Sequence, residues 1–397
     1  MKKTFPAHKQ MRAAMTAEIL GAVRDGCVSK REIQSRTSFS WGNVSVNVNR
    51  FLDAGILEPA EEAAEEERGA GRQTQRFAFS PKKYLTAGIE IRPDRVLCSL
   101  ADLSGKELLL YEHTAERPLK EDEILPAARE AWMGALKKAG LKPASTAAVS
   151  FALTGAVDSE NMRWIKTPKI SSVRNLDFKK ASGFFPGINL IKIEHDTTAL
   201  AKAVTKNIPG APDDYVFLFI SDGLGMAARQ KGGFVAGSRG LACEAGHIPC
   251  QLFPGKTLRC DCGNDNCLEL FLSSKGVAGY IRDNISSVPP APKYERLTGS
   301  LSQKQKDGIC GYLRPLLTLL SVLACNIFDP ETLLIGGDAV EFCLGELEEG
   351  FGKDLKSRTW QSSPSKVVFY RMDGHSAAFG ATIGMEKEII RQIADPQ

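Results

Sequence analysis

Cys260-Asp261-Cys262-Gly263-Asn264-Asp265-Asn266-Cys267 places three thiols within eight residues. Leu268 and Glu269 follow, and Glu244-Ala245-Gly246-His247 comes shortly before. His247 lies 13 residues ahead of the first cysteine. One imidazole and three thiolates complete a tetrahedral zinc shell and leave no position for water, which predicts a structural Zn2+. Gly263 relieves backbone crowding in so tight a knuckle. Cys250 is a weaker candidate ligand, and three free thiols beside a surface histidine is the bland alternative. The remaining cysteines (Cys27, Cys98, Cys243, Cys310, Cys325 and Cys343) read as small core residues.

The rest of the chain has ordinary globular composition: 43% hydrophobic and 25% charged over 397 residues, which suits two or three domains. The formal net charge of +4 is unevenly spread. Residues 1–57 hold nine Lys/Arg against four Asp/Glu, so the remainder is close to neutral. A basic block before a neutral body predicts an anionic partner, with nucleic acid the first candidate. The N-terminal residues show no apolar core for a signal peptide, and ten cysteines are sparse for a disulfide framework. Leu316–Cys325 is too short to span a bilayer. The expected setting is cytoplasmic, without membrane contact.

Helical patterning runs over 10–25, 30–36 and 41–54. Met11, Met15, Ile19 and Val23 recur four apart. Ser29 caps the second helix with Glu32 in a capping box, and Ser40 caps the third, which buries Val44, Val48 and Phe51 or Leu52. Two short strands follow, at 56–57 and 76–79. Between them lie the acidic run 58–67 and the basic turn Arg68-Gly69-Ala70-Gly71-Arg72. This order predicts a winged helix-turn-helix over 1–80. On its third helix, Trp41, Gly42, Ser45, Val46 and Asn49 face outward, flanked by Asn43 and Arg50. Asn49 suits an adenine edge, and Ser45 a base or a phosphate. Ser40 joins them at the cap. Lys30, Arg31, Arg50, Arg68, Arg72 and Arg76 suit phosphates. The glutamates beside the wing are odd for such a surface.

From residue 82 the pattern changes to three consecutive strands (87–91, 96–103, 106–112), a helix over 121–140, and strands at 147–153, 188–193, 215–220, 332–335 and 366–370. Helices fall at 197–206, 302–328 and 377–394. Strands in a meander, then alternating with helices, predict a mixed α/β sheet occurring twice.

The cysteine run with its Glu-Ala-Gly-His segment resembles the signature of the ROK family (repressor, open reading frame, kinase). Thr154-Gly155-Ala156-Val157-Asp158, Glu194-His195-Asp196-Thr197-Thr198-Ala199 and Phe328-Asp329-Pro330-Glu331 through Ile335-Gly336-Gly337 resemble further family segments, in order. The resemblance implies an α/β body of two actin/hexokinase-like lobes over 81–397: lobe one about 81–197 plus the C-terminal helix, lobe two about 198–375. It implies a sugar or sugar phosphate in a cleft between them. His195, Asp196, Glu244, His247, Glu269 and Gly155 fall at its ligand-binding positions. Asp196 holds the place of the kinases' catalytic base, although a helix N-cap would use an aspartate equally well. His195 stands where the family has Asn, which offers the same donor and acceptor in a less bulky group.

The kinases carry Asp-x-Gly-Gly-Thr after the first strand. Here the segment reads Gly88-Ile89-Glu90-Ile91-Arg92-Pro93-Asp94-Arg95. Both turn glycines and the threonine are absent, and Pro93 removes an amide donor. Asp222 in Ser221-Asp222-Gly223-Leu224-Gly225 would repel phosphate. No catalysis is therefore expected. The leading expectation is a sugar-responsive regulator, a repressor, acting as a homodimer or homotetramer on operator DNA. The alternatives are a ROK-type sugar kinase carrying an extra DNA-binding module, and a regulator that answers to a protein partner.

Overall fold

The computed structural model describes residues 6–60, 75–206, 208, 210–250, 257–285, 302–341, 344–360, 364, 366–372 and 376–395. Arg68, Arg72 and the glutamates at 61–67 lie outside the described residues.

Three helices open the chain: α1 (Pro6–Arg24), α2 (Lys30–Arg36) and α3 (Trp41–Asp53). Ser29 Oγ accepts the Glu32 amide at 3.3 Å. Glu32 Oε2 accepts the Val28 amide at 2.6 Å, so the reciprocal bond of the expected capping box falls one residue early. Ser40 caps α3 by accepting the Asn43 amide, and Val44, Val48 and Phe51 are buried. Strands β1 (Leu57–Pro59) and β2 (Phe77–Phe79) pair antiparallel. One expectation fails on α1: Ile19 and Val23 are buried, but Met11 is 58% exposed. A strict four-residue spacing advances about 40° per step around an α-helix, so the far end of the series leaves the buried face.

The body begins with β3 (Leu85–Ile91), β4 (Arg95–Ala101), β5 (Glu107–Thr114), α4 (Ile124–Ala139) and β6 (Thr146–Leu153). Short strands β7 (Ala156–Asp158), β8 (Arg163–Lys166) and β9 (Leu176–Asp177) precede β10 (Leu190–His195) and α5 (Asp196–Lys206). Next come β11 (Tyr215–Ile220), β12 (Leu224–Gln230), β13 (Gly233–Phe234), α6 (Glu269–Leu272), α7 (Ser274–Asn284) and α8 (Gln303–Phe328). The chain continues with β14 (Thr332–Gly336), α9 (Asp338–Glu341), α10 (Leu344–Glu348), α11 (Phe351–Arg358), β15 (Lys366–Tyr370), α12 (Ala377–Thr382) and α13 (Met385–Ala394). The single helix expected over 377–394 is thus two. Gly384, at φ +95°, turns the chain between them in a conformation that side-chain-bearing residues resist.

Contacts divide the chain into two compact units. One comprises Met1–Thr154, Met162–Leu200 and Ser376–Gln397, the other Gly155–Asn161 and Ala201–His375. Each holds a five-stranded mixed sheet, in the orders β10-β6-β3-β4-β5 and β13-β12-β11-β14-β15. The plan is the same in both. The first strand (β3 or β11) sits centrally, its next two strands fold back antiparallel on one side, and two parallel strands lie on the other. Central strands covered on both faces must be apolar throughout, and every residue of β3 and β14 is buried.

In the first unit, Trp132, Phe151, Phe178 and Phe185 form an aromatic cluster beneath the sheet. In the second, α8 buries Leu313, Leu316, Leu317 and Leu320 with Val216 and Leu333. By length and composition α8 could cross a membrane, but over half of its apolar window is buried in that core. The core of the helical head is continuous with that of the first unit. Its residues Ile19, Leu20, Phe51 and Phe77 continue into Leu103, Ala148, Met385, Ile389 and Ile390 of the first unit. Helix α1 packs along α13, and Lys9 pairs with Asp395.

Candidate metal centre and effector site

In the second unit, His247 ends a 3-10 turn over Ala245–His247. The cysteine loop is stitched to the segment that follows it. Cys267 bridges to Pro249, and the Leu268 amide donates to Ile248 O at 3.0 Å. Within the loop the Gly263 amide donates to Cys260 O at 3.0 Å, and the Cys260 amide to Asn264 O at 2.9 Å. Gly263 makes this turn at φ +102°. The four expected ligands converge: their donor atoms all lie within 4.8 Å of one another. Cys262 Sγ is 3.5 Å from Cys267 Sγ, and Cys260 Sγ is 3.6 Å from His247 Nδ1. A disulfide would require about 2.05 Å. A tetrahedron with zinc–sulfur bonds of about 2.3 Å has sulfur–sulfur edges of about 3.8 Å, close to the spacing found. Donor set and geometry therefore fit a metal ion. Burial, reinforced by the neighbouring sulfurs, pushes the Cys267 thiol well above the usual thiol range, and burial also raises Cys260. Cys250 is not among the converging residues.

The same loop places Glu269. Its Oε2 accepts the Leu224 amide at 3.1 Å, just past the β11–β12 turn. A side chain at Gly223 would meet that oxygen at 3.0 Å. The carboxylate thus lies against the second glycine turn, a contact that sequence spacing could not reveal. Glu244 is exposed, three residues before His247. Gly155 has φ +84° and belongs to this unit.

The first unit carries His195 and Asp196, where β10 passes into α5. His195 Nδ1 accepts the Thr197 amide at 3.2 Å, so it is His195 that caps α5, and the bond leaves the ring proton on Nε2. Nδ1 also lies 3.2 Å from Asp196 Oδ1. With Nδ1 already accepting, that contact is no ion pair. Asp196 Oδ1 accepts from Thr197 Oγ1 at 3.3 Å. Glu90, Ala152 and Glu194 stand in register across the parallel strands β3, β6 and β10. Such strand ends are where α/β sheets bind ligands.

Two residues here were not singled out from sequence as a pair. Arg92 Nε donates to Glu90 Oε1 at 2.6 Å. Glu90 is 7% exposed, and its Oε2 has no hydrogen-bond partner among the described residues. Burial opposes the charge on Arg92, but Glu90, then Asp196 and Glu112, outweigh it and hold its pKa above the ordinary arginine value. The signal was a carboxylate two residues before an arginine at a strand end, where both side chains share one face. The turn itself is closed, with the Arg92 amide donating to Arg95 O and the Leu119 amide to Pro93 O.

On the head, Arg31, Ser40, Trp41, Gly42, Asn43, Val46 and Asn49 are exposed. Trp41 is 51% exposed and Val46 69%. Lys30 Nζ donates to Asn49 Oδ1 at 2.7 Å and to Ser45 Oγ at 3.4 Å, joining three of the expected contacts. Arg50 turns back to α1, donating to Thr16 Oγ1 at 2.8 Å with its guanidinium 5.0 Å from the Phe51 ring centre.

A model of the ROK family matches residues 86–387. The chain belongs to the ROK family. It is 22% identical to the xylose repressor of Bacillus spizizenii over 332 residues, 80% of each protein. Among solved structures, a ROK family transcriptional regulator homologous to Escherichia coli Mlc superposes with TM-score 0.71 at 18% identity, covering 96% of this chain and 97% of that one. A glucokinase from Streptomyces griseus, in complex with glucose and AMPPNP, gives TM-score 0.59 at 23% identity over 75% of this chain and 98% of its own.

Proposed function

We propose that this ROK protein is a sequence-specific DNA-binding transcriptional repressor whose operator affinity falls when a sugar binds. The observation that carries the reading is the continuous core joining the three-helix head to the unit that holds Asp196. The head is read as a winged helix-turn-helix with α3 in the major groove. Trp41, Asn43, Ser45 and Asn49 then face base edges, with Ser40, Lys30 and Arg31 towards phosphates. Arg50, held on α1, positions α3. Arg68 and Arg72 are assigned to the wing. His195, Asp196, Glu244, His247, Glu269 and Gly155 are assigned to the sugar. A change in the first unit on sugar binding reaches α3 through the shared core. A homodimer or homotetramer would set two heads on a palindromic operator in the cytoplasm.

His247, Cys260, Cys262 and Cys267 would hold zinc. With all four positions taken by protein ligands, zinc bound there would supply structure and not a reactive water. The knuckle fixes the backbone that carries Glu269, and Nδ1 on the metal side leaves His247 Nε2 for the ligand.

The test is operator selection from genomic DNA, followed by binding anisotropy with a panel of sugars that raise the melting temperature. Release of DNA by such a sugar supports the reading, and operator affinity unchanged by every binding sugar overturns it. Asp196 and the glucokinase likeness favour one second reading, a sugar kinase with an added head. ATP-dependent phosphorylation of a hexose or amino sugar, lost in Asp196→Ala, would establish it. The filled turn at Arg92 and Pro93 opposes it, because phosphoryl transfer depends on positioning those phosphates.

A further inference from the structure

We infer that the effector is an unphosphorylated sugar, and that the Glu90–Arg92 pair sets the preference against phosphorylated forms. The inference rests on the sugar reading above and narrows it.

The residues assigned to the ligand include the carboxylates of Asp196, Glu244 and Glu269 and no lysine or arginine. Carboxylates accept from hydroxyls, whereas a phosphate requires donors and positive charge. In the first unit, Asp196 is among the carboxylates whose charge bears on Arg92. Its Nε donates to Glu90 at 2.6 Å, and Glu112 also bears on it. Arg95, the next cation along the turn, lies 3.8 Å from Asp94 and 3.6 Å from Glu112. Glu194 adds a carboxylate in register with Glu90 two strands away. The local charge is therefore negative in sum.

The second observation is independent of charge counting. The Glu90 side chain is 9% exposed, and Oε2 lacks a hydrogen-bond partner among the described residues. A buried acceptor without a donor is the uncommon state for such a group. At Glu90 the missing partner is a donor, although Arg95 Nε, across the same turn, is a buried donor without a hydrogen-bond partner among the described residues. A polyhydroxyl ligand brings donors, while a phosphate dianion brings more acceptors and charge of the same sign. Glu90 also pairs with Arg92, which offsets the pull of its guanidinium on an anionic ligand.

The test is calorimetric titration of the full-length, zinc-loaded protein with matched pairs: D-glucose and its 6-phosphate, N-acetyl-D-glucosamine and its 6-phosphate, and D-xylose and its 5-phosphate. The free sugar of the binding pair is expected to bind at least about tenfold more tightly than its phosphate. Glu90→Gln uncovers Arg92 and should lower that ratio by about tenfold, and Arg92→Gln should raise it. Opposite movement in two variants of unchanged metal content and melting temperature is a signature that mere structural damage would not produce. Tighter binding of the phosphorylated member overturns the inference and leaves the sugar reading standing. A ratio unmoved in both variants overturns the role of the pair. Absence of binding by every free and phosphorylated sugar overturns the sugar reading, and this inference with it.

Discussion

In the first unit the turn after the central strand carries Arg92 and Pro93. In the second the turn after the central strand carries Asp222 and Gly223, and a carboxylate from the metal loop lies against it. The two sheets share one strand order, so these turns occupy equivalent places. At one a guanidinium pairs with a carboxylate of its own strand; at the other Glu269, 45 residues further along the chain, accepts the Leu224 amide. The units also differ in what holds them together. The first extends its apolar core into the head, whereas the second gathers four side chains able to hold a metal ion around one loop.

Metal removal is the sharpest way to break that comparison. Structural zinc contributes about 10–16 kcal/mol in isolated finger peptides, so a core-backed site retains a large dependence. The purified protein should hold one zinc per chain. Chelation, or Cys262→Ser, should lower the melting temperature by at least about 10 °C, given about 2–4 °C per kcal/mol for units of this size. Unit two should unfold first and the head should stay helical, which limited proteolysis with fragment identification would read. An unchanged melt after full chelation would count against a structural metal.

Ile389→Ala probes the other side. Ile389 is 1% exposed within the core that joins α13 to the head. Truncating so buried an isoleucine costs about 2–5 kcal/mol. The expected result is lower stability of the first unit and weakened DNA binding, with zinc content unchanged. Loss of zinc in this variant would show that the units are not separately held.

What was legible in the sequence follows the range of the forces involved. The caps Ser29 and Ser40, the helix Lys30–Arg36 and the strands Tyr215–Ile220 and Lys366–Tyr370 depend on near neighbours, and all were readable. The clustering of His247, Cys260, Cys262 and Cys267 was readable because three of them lie in one tight loop. Long-range placements were not. The exposure of Met11 depends on how an approximate period drifts around a helix. The union of head and first unit depends on α13, at the other end of the chain. Glu90 and Arg92 could be read as residues, but the pairing of one carboxylate oxygen and the orphaning of the other come from packing.

On the head, Asn49→Ala tests whether the exposed face of α3 reads bases. Loss of a bidentate base contact costs about 1–3 kcal/mol and relaxes specificity at one position of the site. Anisotropy titrations against the selected operator and single-base variants of it would read both effects. Because Asn49 also accepts from Lys30, Lys30→Ala is the control. That variant should weaken all sequences alike and reduce the dependence on salt. Equal losses across all operator variants with Asn49→Ala would reassign Asn49 to the phosphate backbone.

The smallest expected effect concerns Ser29. Its hydroxyl oxygen caps α2, yet the second bond of the motif runs from Val28 to Glu32 and does not involve the serine side chain. Ser29→Ala therefore removes one bond and keeps the other, where a complete reciprocal box would lose more. The expected cost is about 1 kcal/mol of stability in the head. Glu32→Ala should cost a similar amount by freeing the Val28 amide. If the two bonds act separately, the double variant should lose the sum of the two. A double variant no worse than either single one would show that the two bonds form as a single cap, despite landing on different residues.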